Sequence, residues 1–101
     1  MRVFAVLTAA LLAACAPPPE LTIEERAEQT AAAAVSVLFP ETDPLPVANC
    51  VRDLAEFEEL ITLANGSPET PEDETIALVD EILERAEVAD CVRFNNVVLG
   101  V

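Results

Sequence analysis

Eight prolines and only two glycines partition this 101-residue chain before any other signal is read. Proline has no backbone N–H and clashes with the preceding turn, so it breaks a helix interior and is excluded from central strands. The prolines fall at 17–19, 40, 44, 46, 68 and 71. Between them lie stretches long enough for helices of ordinary length. An all-β chain of this size would need many more turn residues than Gly66 and Gly100. Alanine, leucine and valine dominate, and the aromatic residues are limited to Phe4, Phe39, Phe57 and Phe94. This composition favours thin, closely packed helices over a sandwich. The expected fold is all-α: a small three-helix arrangement in one domain.

The first expected helix runs from about Thr22 to Phe39. Thr22 and Glu25 fit a capping box, in which the hydroxyl serves one orphan N–H and the carboxylate another. Ile23, Ala27, Ala31, Ala34, Val35 and Leu38 form a periodic stripe of mostly small side chains. Pro40 ends the helix, and Pro40–Pro46 reads as an irregular connector. A second segment begins near Pro46 and carries Cys50, and Asp53 is expected to start a new helical stretch, with Glu56 three residues on. Leu54, Phe57, Leu60, Ile61 and Ala64 are its apolar positions, and Asn65-Gly66 closes it. Thr70-Pro71-Glu72-Asp73 opens the third helix, with a cap, a proline in the first turn and acids at the positive end of the dipole. Its apolar positions are Ile76, Val79, Ile82, Leu83 and Ala86. The last two helices share one spacing, a stripe about 120° wide, and a Gly-containing loop joins them. That pattern predicts an αα-hairpin. The final stretch, from Cys91, is expected to stay helical through Phe94 and then to pack irregularly over Val97–Val101.

The first residues carry an address rather than a fold. Arg2 is a short positive region, Val3–Ala14 is an uncharged and mainly apolar run, and small residues precede the break. The run is too short to span a bilayer, which takes about 20 residues. Leu12-Ala13-Ala14-Cys15 resembles the lipobox of bacterial lipoproteins. The resemblance implies cleavage before Cys15, lipidation of its sulfur and acylation of the new amino group. Pro17-Pro18-Pro19 then reads as a stiff spacer, rising about 3.1 Å per residue from the lipid. Ala16, where an Asp would imply inner-membrane retention by resemblance to enteric lipoproteins, implies the outer membrane. The expected organisation is a signal peptide over 1–14, a lipidated Cys and Pro-rich spacer over 15–21, and an acidic helical domain over 22–101.

Three cysteines are present, and lipidation of Cys15 leaves two, Cys50 and Cys91. They flank the expected hairpin, whose two ends an antiparallel arrangement brings together. In an oxidising compartment neighbouring cysteines pair. A bridge between positions 41 apart gives about 4 kcal/mol in the chain-entropy model. That is a large share of what so small a core supplies. The other roles for such a pair are redox chemistry, which would show a Cys-x-x-Cys spacing that the sequence lacks, and zinc binding, which wants four ligands. Short motifs, Asn49-Cys50-Val51, Leu63-Ala64, Thr70-Pro71 and Asp90-Cys91-Val92, are similar to small two-cysteine helical envelope proteins of proteobacteria. That resemblance favours the helices and the bridge and implies no activity.

Nineteen acids face five arginines, with no lysine and no histidine, for a net charge of −14. Maturation would remove Arg2 and no acid. Such a balance argues against nucleic acid or an anionic lipid surface, since phosphate binding needs clustered cations. Without histidine there is no Ser-His-Asp or Cys-His site, and without lysine no Schiff base or P-loop. Paired carboxylates remain, and Glu72-Asp73-Glu74 or Glu56, Glu58 and Glu59 are the groups placed to hold a cation weakly, though neither follows a calcium-loop pattern. Arg52 and Arg93 each follow a cysteine by two residues. Together with Arg85 they are either surface charges balancing acids or a small basic patch beside the bridge that meets an acidic ligand. No catalytic residue, metal ligand or cofactor site is expected. The functional expectation is a lipid-anchored, periplasm-facing, non-enzymatic protein-interaction module held at the membrane through Cys15. The alternative is an acidic divalent-cation-binding envelope protein.

Overall fold

The computed structural model describes residues 20–95, which form five helices and no strand. The expected signal peptide over 1–14, Cys15, Pro17–Pro19 and the Val97–Val101 stretch lie outside the described residues. The helices are α1 (Ile23–Leu38), α2 (Pro44–Leu54), α3 (Phe57–Ala64), α4 (Asp73–Leu83) and α5 (Ala86–Phe94). The all-α class stands, and each difference from the expected three segments has a local cause.

α1 starts where expected. The Glu25 N–H donates to Thr22 Oγ1 at 3.1 Å, and the Thr22 hydroxyl donates back to Glu25 Oε1 at 3.1 Å. The reciprocal contact thus runs through the hydroxyl rather than the cap N–H. α2 begins inside the expected connector. Pro44 and Pro46 both sit in its first turn, where N–H groups have no intrahelical partner, so the missing donors cost nothing. Asp43 completes the start by accepting from the Leu45 N–H at 3.2 Å. Asp53 does not open a helix, because α2 continues through Leu54. The new start is Glu56, whose N–H donates to Glu59 Oε1 at 2.9 Å.

α4 opens at Asp73 with Glu72 as its N-cap, not at Thr70. The Thr70 N–H donates instead to Ser67 Oγ at 3.2 Å, which holds that residue in the loop. The expected third helix breaks at Arg85, which is extended (φ −67°, ψ 138°) and separates α4 from α5. Ala86, expected to finish the α4 stripe, therefore opens α5 and is exposed.

α1 is the organising element. Ala27, Ala31, Ala34 and Val35 are fully buried, and the small face lets helices approach closely. α2, α3 and α4 all pack against α1, while α5 packs against α2 and, less, against α4. The hairpin pairing thus takes a different form: α3 and α4 meet α1 rather than chiefly each other. The core beyond α1 is Val47, Ala48, Cys50 and Val51 of α2, Leu60, Leu63 and Ala64 of α3, Val79, Ile82 and Leu83 of α4, and Val88 and Val92 of α5. At Gly66 a Cβ would lie 3.0 Å from Thr30 Cγ2 and 3.2 Å from the Leu63 carbonyl oxygen, so the α3–α4 loop closes tightly on α1 and a side chain there would require its neighbours to give. Among the described residues no helix is long and apolar enough to cross a membrane.

Candidate functional site

Cys50 and Cys91 are joined, with Cα atoms 5.8 Å apart, an ordinary separation for a bridge. The break at Arg85 makes this possible, because α5 then packs back along α2. Cys50 is buried in α2, and Cys91 is half-buried in α5. Asn95 closes over the pair. Its Nδ2 donates to the Cys91 carbonyl oxygen at 2.9 Å and lies 3.6 Å from Cys50 Sγ.

The three arginines near this region do not form an open basic patch. Arg52 Nε donates to Asp53 at 3.1 Å, and its Nη1 reaches Glu28 of α1 at 3.5 Å. Arg93 pairs with Asp90 one turn back on α5. Arg85 makes the strongest contact, donating from both terminal nitrogens to the two Glu59 oxygens at 2.8 and 2.6 Å. This fork-on-fork geometry gives direction as well as attraction. Glu59 Oε1 also accepts from the Glu56 N–H. The Arg85 hydrogen bonds, then the Glu56 N–H, hold the Glu59 carboxyl below its usual pKa despite partial burial. Glu59 thus caps α3 and fastens the α4–α5 junction to it.

That clasp uses one of the carboxylates that sequence grouped as a weak cation site. Glu56 and Glu58 remain exposed, as do Glu72, Asp73 and Glu74 at the start of α4. Among the described residues no group of three or more His, Cys, Asp or Glu side chains is gathered to hold a metal.

Among the described residues, shallow grooves flank α1. One, of about 380 Å³, is lined by Leu21, Arg26, Thr30, Ala64, Gly66 and Pro68, among others. Its Thr30 hydroxyl donates to the Arg26 carbonyl oxygen at 3.2 Å. Another, of about 570 Å³, lies between α1 and α2 along Ala32, Ala33, Ser36, Leu45 and Asn49.

The apolar stripe expected over Leu54–Ala64 divides in two. Leu60 and Ala64 face the core, joined by Leu63, which the sequence reading left out and which is completely buried. Leu54, Phe57 and Ile61 stay exposed, Phe57 at 62%. The core of α3 is therefore rotated away from the expected stripe, and an apolar ridge is left on the outside. Sequence reasoning also missed the Glu59–Arg85 clasp. The only local signal for it is Glu59 at the third position after the Glu56 cap. No family model, curated protein or solved structure matches this chain.

Proposed function

We propose that this protein is a lipid-anchored envelope protein whose small helical domain faces the periplasm and binds another protein without catalysing a reaction. The observation that carries the reading is the Cys50–Cys91 bridge. With those two sulfurs joined, Cys15 is the odd cysteine, and it sits at the end of an apolar leader in the Leu12-Ala13-Ala14-Cys15 context. A disulfide of this kind belongs to an oxidising compartment, which agrees with export. Acyl chains at Cys15 would hold the chain at the membrane with about 0.8 kcal/mol per buried CH₂. Pro17–Pro19 would space the domain from a surface that its own charge disfavours. Ala16 favours the outer membrane as the destination.

The chemistry that the chain carries supports a binding role rather than a catalytic one. It has no histidine or lysine, and its best-placed carboxylate, Glu59, is engaged by Arg85. Membrane fractionation of cells expressing the full chain tests the anchor. The native protein is expected in the membrane fraction and to resist high-salt extraction, whereas Cys15→Ala is expected to remain uncleaved or to leave that fraction. Equal partitioning of both proteins into the soluble fraction would overturn the reading.

A further inference from the structure

We infer that the ridge formed by Leu54, Phe57 and Ile61 docks a basic, amphipathic segment of a partner protein, an inference that rests on the reading of the domain as an interaction module. Phe57 and Ile61 are four residues apart on α3, which makes their side chains neighbours along one line of the helix. Phe57 is 62% exposed and Ile61 37%, while Leu54, at 36%, ends α2 just before them. Isolated surface apolar residues are ordinary. Here three stand within eight positions, and one is a phenylalanine, an aromatic type enriched at interface cores. The ridge is on the outer side of a helix that already buries Leu60, Leu63 and Ala64, so the core does not need it.

The charge around the ridge selects the partner. Glu58 is exposed immediately beside Phe57 and Glu56 is exposed at the cap, both without a cationic partner among the described residues, while Asp53 at the end of α2 is exposed but paired with Arg52. The nearby cations are engaged: Arg85 by Glu59, and Arg52 by Asp53 and Glu28. An apolar strip with an acidic rim complements a helix or extended segment that has an apolar face flanked by Lys or Arg. A second copy of this chain would set acids against acids, because each carries a net charge of −14.

The test places the photoreactive p-benzoylphenylalanine at position 57 of the full chain in its native cells. A second probe replaces Leu45, an exposed residue lining the α1–α2 groove. Irradiation is expected to yield an adduct from position 57 that maps by mass spectrometry to an apolar segment rich in Lys and Arg. Its yield should fall about tenfold with Glu58→Lys in the same chain, since reversing a rim charge removes the complementarity. It should also fall in isolated envelopes at about 1 M salt, where the Debye length is about 3 Å. Circular dichroism of Glu58→Lys should match the unsubstituted protein, because Glu58 is exposed.

Several outcomes overturn the inference. They are an adduct with a second copy, with residues 96–101 of the same chain, or with an acidic or uncharged segment, or a yield indifferent to Glu58→Lys. An adduct from position 45 alone removes the ridge and keeps the interaction module. No adduct from either position removes both.

Discussion

The α4–α5 unit is tied to the rest of the domain at two places that obey different physics. At one, a covalent bond joins α5 to α2 through Cys50 and Cys91. At the other, a two-pronged ion pair joins Arg85, at the α4–α5 junction, to Glu59 on α3. The first tie acts largely on the unfolded chain, by closing a long loop, and is indifferent to pH until thiols exchange. The second acts in the folded state, is partly open to water, and depends on charge. One tie therefore tracks the redox state of the compartment, and the other tracks its proton concentration. A small acidic domain with a core largely of alanine and valine draws most on the first, because little apolar surface is available to bury.

Removing the covalent tie should have the largest effect. Reduction, or Cys50→Ala with Cys91→Ala, should lower the unfolding free energy by about 4 kcal/mol in urea titrations. A loss near zero would show that the core alone holds α5 against α2, and the contrast between the two ties would disappear.

The next largest effect contrasts the two sides of α3. Leu63→Ala should cost about 2–5 kcal/mol, because Leu63 is fully buried. Phe57→Ala should stay within about 0.5 kcal/mol, because its ring faces solvent. Equal costs in the same denaturation assay would mean that the ridge is core.

The ionic tie should have the smallest effect, and it is the one that pH reads out. Glu59 has a depressed pKa in the folded state, chiefly through Arg85. The clasp therefore contributes fully above the ordinary carboxylate value of about 4.3 and loses that contribution as pH falls through it toward the lower folded value. Glu59→Gln should lower the Tm by a few degrees at neutral pH. The gap between Glu59→Gln and the unsubstituted protein should close on acidification below about pH 4. The comparison has to be made as a difference, since the other acids also protonate and relieve their mutual repulsion. A gap that is constant from neutral to acid pH would show that Glu59 acts as an uncharged cap.

Much of this fold could be read from punctuation. Thr22 and Glu25 marked the start of α1, Pro40 its end, and the flanking positions of Cys50 and Cys91 predicted their bond. The failures have physical reasons. Pro44 and Pro46 look like breakers, but a helix tolerates proline wherever its N–H would have no partner anyway. α3 is only eight residues long, so several rotations give it a plausible apolar stripe, and packing on α1 selected Leu63 over Ile61. The break at Arg85 has no glycine or proline to announce it. It is accompanied by a contact with Glu59, 26 positions away, which no local pattern contains. Of the candidate site, the bridge was legible and the exposed ridge was not, because Leu54, Phe57 and Ile61 read as core until α3 was oriented.

We propose a division of labour among the three sulfurs: Cys15 would carry lipid, while Cys50 and Cys91 hold the fold. Intact-mass measurement of the protein extracted from its own membranes, with and without reduction and alkylation, tests it most directly. The account predicts a chain beginning at Cys15, heavier than its sequence by acyl groups, that takes up two alkyl groups only after reduction. A chain beginning at Met1 that takes up three alkyl groups without reduction would contradict it.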